Sequence, residues 1–130
     1  MASGVMSTSE PEVERAGGRV MMTVIFEVEP HNGKAQEYLD IAARLRPELE
    51  KSDGFISVER FESIYRPGKY VSISYWRDAD AVRAWRTHTE HQQAQAKGRQ
   101  EIFADYRIRV AQVVRDYGIY DRAEAPQPGL

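Results

Sequence analysis

Two periodicities alternate along this chain, and the order in which they alternate limits the fold more than any other feature. From residue 20 to 29, Val20, Met22, Val24, Phe26 and Val28 recur at every second position while Glu27 and Glu29 fall between them, the pattern of a strand with one buried face. Pro30, Asn32 and Gly33 supply a turn, after which Ala35, Tyr38, Leu39, Ala42, Leu45 and Leu49 recur at helical spacing and predict a helix over 34–51, with Pro47 removing one backbone donor. Gly54 can take the left-handed conformation that ends a helix, so Phe55 heads a strand over 55–64. Pro67-Gly68 suits the centre of a tight turn and pairs that strand with the next, 69–76, as an antiparallel hairpin. Asp78 is placed to cap a short helix bearing Val82 and Trp85, and Thr87 with Glu90 matches a capping box, predicting a second helix from there toward Phe103. A Val-rich strand over 107–117 closes the series. Strand, helix, strand, strand, helix, strand is the ferredoxin-like order, an α+β fold in which an antiparallel sheet carries its helices on one face.

The ends of the chain do not share this rhythm. Residues 1–18 are rich in Ser, Glu, Gly and Ala and read as a disordered leader or start-site extension; 123–130 read as a flexible tail, leaving one domain over 19–122. A length of 130 residues gives room for one modest core. Charges of both signs are interspersed, 18 basic and 20 acidic, so the chain offers neither nucleic acid nor an anionic membrane a single-sign field. Cysteine is absent, which removes thiolate chemistry and disulfides. No apolar run approaches the roughly 20 residues of a membrane span and residues 1–18 lack the core of a secretory signal, so the expectation is a cytoplasmic protein.

A sheet covered on one side should be polar on the other, yet Val71, Ile73 and Tyr75 face one way while Tyr70 and Trp76 face the other. Surplus apolar sheet surface on a small domain is normally covered by a partner. Two such sheets packed face to face form a dimeric α+β barrel, so a homodimer is expected.

Candidate functional residues cluster after the hairpin. His91 shares a helical face with Ala94, Gly98 and Ile102, where small neighbours leave room either for tight packing or for a cavity entered by the imidazole together with Trp76 and Trp85. The two indoles suit stacking on a planar ligand and suit a core equally well. Ser72 and Ser74, on the same strand face as Trp76, offer hydroxyls. His88 lies three residues before His91 with no third ligand in place, so no dedicated metal site is expected. Arg99 can meet an anionic group of a substrate or of haem, or pair with surface carboxylates. No phosphate-binding Gly-rich loop and no nucleophile elbow is present, and no flavin or nicotinamide site is evident.

Gly54-Phe55 opening one strand, Tyr75-Trp76 closing the next, Trp85 nine residues on and His91 in the helix beyond together resemble the antibiotic biosynthesis monooxygenase family. The resemblance spans about residues 20–120 and implies a dimeric α+β barrel acting on a small aromatic ligand. Its quinone-forming members oxidise phenols without a cofactor, using an Asn on the third strand, the Trp ending it and a Tyr in the following helix. Here those positions hold Ser72, Trp76 and Val82. Haem-degrading relatives use a Trp matched by Trp85 and a His about ten residues later, where this chain has Gln95, so a haem ligand would have to be His91 or His88. The leading expectation is a cofactor-independent monooxygenase with His91 as base and Ser72, Trp76, Trp85, His88 and Arg99 around the ligand. The alternatives are a haem-binding or haem-degrading oxygenase and a non-catalytic binding or stress-associated module on the same fold.

Overall fold

The computed structural model describes residues 20–95 and 99–127, the side chains of 89–95 and 99–100 excepted. The expected leader, residues 1–18, and the last three residues of the expected tail lie outside the described residues. The elements are β1 (Met22–Pro30), α1 (Ala35–Glu50), β2 (Phe55–Glu62), β3 (Tyr70–Trp76), α2 (Ala79–Gln95), α3 (Arg99–Ile102) and β4 (Phe103–Gln112). The strands form one sheet in the order β2-β3-β1-β4, and every neighbouring pair is antiparallel. This is the ferredoxin-like α+β arrangement expected from the alternation of periodicities, with the helices on one side of the sheet.

Local chemistry sets the boundaries. α1 runs through Pro47, which falls in its last turn, and stops where the Ser52 N–H returns to the Leu49 carbonyl at 3.0 Å. Gly54 follows with φ +84°, and a Cβ there would lie 2.5 Å from the Ala81 Cβ, so both backbone conformation and close packing against α2 require glycine. The Gly54 carbonyl in turn accepts from the Arg77 N–H at 2.7 Å, tying the start of β2 to the end of β3. Pro67 and Gly68 (φ +92°) do form a turn closed by Lys69 N–H to the Arg66 carbonyl at 3.0 Å. That turn sits at the tip of a longer loop, closed at its base by Ser63 N–H to the Lys69 carbonyl at 2.8 Å.

Three boundaries differ from the sequence expectation. Asp78 caps as expected, its Oδ1 accepting from the Ala81 N–H at 3.0 Å, but α2 then continues without a break past Thr87. The Thr87 hydroxyl donates back to the Arg83 carbonyl at 3.0 Å, so its oxygen serves the helix it already belongs to and starts no new one. β4 starts at Phe103, four residues before the expected Arg107, because the Phe103 ring packs edge-on to Tyr38 (5.8 Å) and Phe26 (6.0 Å). It ends at Gln112; Val113 adds one hydrogen bond to the Met21 carbonyl, and the chain then leaves the sheet. Within the expected tail, Glu124 accepts from the Asp116 N–H at 2.7 Å.

The core on the helix side is divided. One cluster holds Val20, Met22, Trp76, Ala81 and Val82, with Val24, Leu49, Phe55, Ala79 and Trp85 packed against it. The other holds Val28, Tyr38 and Ile102, with Phe26, Leu39, Ile41, Tyr70 and Phe103 around it. Across the sheet, the register sets Phe55, Trp76, Met22 and Gln112 in one row and Glu62, Tyr70, Val28 and Tyr106 in another. Between those rows lie Val58, Ser74, Val24 and Val110, then Arg60, Ser72, Phe26 and Ile108.

Candidate functional site

The row Arg60, Ser72, Phe26, Ile108 crosses all four strands between the two core clusters, and none of its members is buried. With strands about 4.8 Å apart, it spans about 14 Å of sheet. One end is polar. Arg60 Nε donates to the Tyr38 hydroxyl at 3.0 Å, and the guanidinium carbon lies 5.4 Å from the Tyr38 ring centre. Tyr38 projects from α1, is 4% exposed, and packs on Tyr70 at 5.9 Å. Burial pushes the Tyr38 phenol above its ordinary pKa while Arg60 acts in the opposite direction, so the phenol keeps its proton at neutral pH. Ser72, the cross-strand neighbour of Arg60, is half-buried and makes no side-chain hydrogen bond to a described residue. The other end is aromatic: Phe26 packs on Phe103 at 6.0 Å and on Tyr106 at 5.9 Å, beside Ile108, which is 49% exposed.

The residues singled out in the sequence divide between this row and its surroundings. Ser72 lies in it. Trp76 is 1% exposed, enclosed by Phe55 (5.5 Å between ring centres) and Trp85 (6.3 Å), with its Nε1–H donated to the Ser74 hydroxyl at 2.8 Å. A ligand reaching that indole has to displace one of the two rings. Ser74 is 7% exposed and its hydroxyl also lies 3.5 Å from the Val24 carbonyl, so the two serine hydroxyls of β3 serve different ends: one is used within the core and the other is open. Trp85 is half-buried and packs on the imidazole of His88 at 5.4 Å. His88 is exposed and its Nε2 lies 3.1 Å from Glu48 of α1, so binding iron through Nε2 would break that contact. His91 lies in α2 and Arg99 opens α3, and both side chains are outside the described residues. Val82, at the position of the family's helix Tyr, is 7% exposed and belongs to the Trp76 cluster. Among the described residues no group of three His, Asp or Glu side chains is arranged to hold a metal ion.

Arg60, Tyr38, Phe26 and Tyr106 were not among the sequence candidates. Counting by twos from Phe55 assigns Phe55, Ser57, Glu59 and Phe61 to one face of β2. The irregularity between Phe55 and Ser57 breaks that count, so Phe55 shares its face with Val58 and Arg60. An arginine at a helix-facing position is the signal, and the bulge conceals it.

The family model described as antibiotic biosynthesis monooxygenase matches residues 21–97. A protein of Pyricularia oryzae named jasmonate monooxygenase ABM is 47% identical over 93 residues, which are 72% of this chain and 43% of that protein. An uncharacterized Bacillus subtilis protein, YqjZ, is 38% identical over 78 residues, 60% of this chain and 67% of its own length. Among solved structures, SnoaB, described as a cofactor-independent oxygenase from Streptomyces nogalater, superposes with a TM-score of 0.55 at 18% identity, over 72% of this chain and 93% of SnoaB. Rv0793 from Mycobacterium tuberculosis does so with a TM-score of 0.65 at 16% identity, over 75% and 99%. The chain is a member of the antibiotic biosynthesis monooxygenase family, and it spans less than half the length of the Pyricularia relative. No helix among the described residues is long and apolar enough to cross a membrane.

Proposed function

We propose that this protein is a small monooxygenase that oxidises an electron-rich aromatic compound lying along the Arg60 to Ile108 row, with dioxygen as oxidant and without flavin or nicotinamide. The observation that carries this reading is the half-open row itself, aromatic at one end and donor-rich at the other, in a chain of the monooxygenase family. The name of the Pyricularia relative and the description of SnoaB as cofactor-independent support the reaction class. In the reaction, a ring CH₂ flanked by phenolic carbons and one O₂ yield a ring carbonyl and one H₂O. One oxygen atom enters the carbon, the other leaves as water, and the substrate supplies both hydrogens and the electrons.

The step to be catalysed is loss of a proton, because a phenolate or carbanion passes an electron to dioxygen far more readily than its neutral acid. His91, on α2, is the proposed base; an imidazole titrates near neutrality and can both take and return that proton. Oxygen uptake with an anthrone or a dihydroxynaphthalene, in the presence of a metal chelator, tests the reading. Uptake should exceed the uncatalysed rate, and His91→Ala should lower it by roughly 10²-fold. If no phenol is consumed faster than background, the non-catalytic binding module replaces the enzyme.

The open face of the sheet supports the proposed homodimer. Its central rows are Glu59, Ile73, Ile25, Arg109 and Ser57, Tyr75, Thr23, Ala111, with Phe61 and Val71 adjacent. A shallow hollow of about 150 Å³ lies among Ser57, Glu59, Phe61, Ile73 and Tyr75. An apolar centre with charged residues at its margins is the composition of a protein interface, and a second copy presenting the same face would cover it. Light scattering should give twice the chain mass; a single-chain mass overturns the face-to-face packing.

A further inference from the structure

We infer that Arg60, Ser72 and Tyr38 form a seat for a carboxylate, so that the ligand of the row is an apolar or aromatic small molecule bearing one carboxylate group. This rests on the proposed use of the row as the ligand site and narrows the class of compound that it takes.

The argument begins with a mismatch of donors and acceptors. Arg60 is half-buried on the helix side of β2, and no carboxylate pairs with it among the described residues. By contrast, Lys34 pairs with Glu37, Arg66 with Glu29, Lys69 and Arg109 with Glu27, and Arg77 with Asp53 and Asp78. Arg60 has instead a neutral phenol as partner. The Nε–H is used on the Tyr38 oxygen at 3.0 Å, which leaves the four N–H bonds of the two Nη groups. The Tyr38 oxygen accepts from Arg60, so its own proton is free to donate, and burial keeps that proton in place. The Ser72 hydroxyl, directly across from Arg60, is a third donor with no acceptor among the described residues.

Donors from three side chains thus meet with no acceptor for them among the described residues, and all three side chains are withdrawn from full contact with water. Leaving buried or half-buried donors unmatched is costly, and a ligand offering only acceptor oxygens removes that cost. One guanidinium answers one negative charge, and its paired Nη groups match the two oxygens of a carboxylate. A dianionic phosphate would call for a second cation. From Ser72 the row continues into Phe26 and Ile108, flanked by Tyr106, with no further charged side chain among the described residues of the row. The ligand therefore has its carboxylate at the β2 edge and an apolar body about two rings long extending toward β4.

Isothermal titration calorimetry on the full chain tests this with matched pairs, 1-naphthaleneacetate and cyclohexanepropionate against their methyl esters, with inorganic phosphate and acetate as small-anion controls. Each acid should bind about tenfold or more tightly than its ester, since only the acid makes charge-assisted hydrogen bonds. Arg60→Gln should bring that ratio to one by weakening the acid while leaving the ester's affinity in place. Ser72→Asp is the second variant. Its carboxylate would occupy the seat from within, so the folded chain should lose its preference for acids even if Arg60→Gln proves unstable. Tyr38→Phe, which keeps the guanidinium, should retain the preference. Equal binding of acid and ester by the unaltered protein, absence of acid binding at millimolar concentration, phosphate or acetate competing as well as the larger acids, or an acid preference that survives both Arg60→Gln and Ser72→Asp would each overturn the proposal. None of these measurements needs turnover. A failure here leaves oxygen uptake on neutral phenols untouched, and the reverse also holds.

Discussion

Trp76 and Tyr75 are neighbours on β3 and face opposite sides of the sheet. Trp76 is 1% exposed on the helix side, wrapped by Phe55 and Trp85 and hydrogen-bonded to Ser74. Tyr75, one residue earlier on the open side, is 37% exposed and borders a shallow hollow. The contrast extends to the polar groups of each face. On the helix side, the sealed end pairs its donor internally, while the half-open row has donors at Arg60 and Ser72 with no acceptor among the described residues. On the open side, Glu27 at the margin receives Lys69 at 3.1 Å and Arg109 at 2.8 Å, and the apolar centre has no cover among the described residues. A face with an apolar centre and charges at its margins suits a large flat partner. A face with surplus donors beside an apolar trough suits a small ligand with acceptors.

If this contrast is right, the sealed end of the helix side carries most of the stability. Trp76→Ala should cost about 3–5 kcal/mol in chemical denaturation, the range for emptying a buried aromatic site, and the same substitution at Tyr75 should cost far less. Equal losses at the two positions would erase the distinction between the faces. Gly54→Ala comes next, at about 3 kcal/mol, because it combines a left-handed backbone with a Cβ placed 2.5 Å from that of Ala81. Ser74→Ala should cost about 2 kcal/mol by leaving the buried indole N–H without its acceptor, and Ser72→Ala should cost little because its hydroxyl has no partner to lose among the described residues. Denaturation midpoints of the two serine variants are a direct measure of which hydroxyl belongs to the core.

The strand and helix order, the Gly54 turn and the Asp78 cap were legible in the sequence because each rests on interactions within a few residues. So was the apolar surplus of the sheet, since strand parity in β1 and β3 is regular. The Thr87-Glu90 pair misled because a capping box is defined by residue type, and Thr87 had a competing acceptor one turn back in the Arg83 carbonyl. The site was less legible. Which of two serines on one face is free depends on the rotamer of Trp76, and the placement of Arg60 depends on a bulge that shifts β2 by one residue. Both are tertiary facts with no trace in local spacing. The start of β4 at Phe103 is of the same kind, set by rings contributed from β1 and α1.

On the open side, Tyr75→Glu places a charge in the apolar centre, beside the neutral neighbours Ser57 and Thr23. The single chain should hold its stability to within about 1 kcal/mol, since the side chain is already in contact with water. The proposed dimer should come apart, because a second copy would bury that charge against its own twin across the interface. Light scattering and denaturation on the same sample separate the two effects. A loss of fold stability like that of Trp76→Ala would mean that Tyr75 belongs to the core after all.

The smallest effect is expected at Glu27, and its sign follows from the ion pairs at the margin of the open face. The hydrogen bond from Lys69 is the main cause holding its carboxyl below the ordinary value of 4.5; the nearby charges of Lys69 and Arg109 act in the same direction, and partial burial opposes them. A carboxylate with a lower pKa in the folded chain than in the unfolded one binds fewer protons when folded, so its contribution is full above pH 4.5 and fades as the pH falls through the folded-state value. Glu27→Gln should therefore lower stability slightly at neutral pH and flatten the part of the acid limb just below pH 4.5, with the difference from the unaltered chain vanishing in stronger acid. Added salt should shrink the gap, since the pairs are accessible to solvent. If a second copy covers the open face, burial of the Glu27 pairs should weaken that screening, so a salt-insensitive gap in the dimer and a salt-sensitive one in Tyr75→Glu is the pattern that ties the ion pairs to the interface. Salt dependence that is the same in both would place Glu27 outside the covered surface.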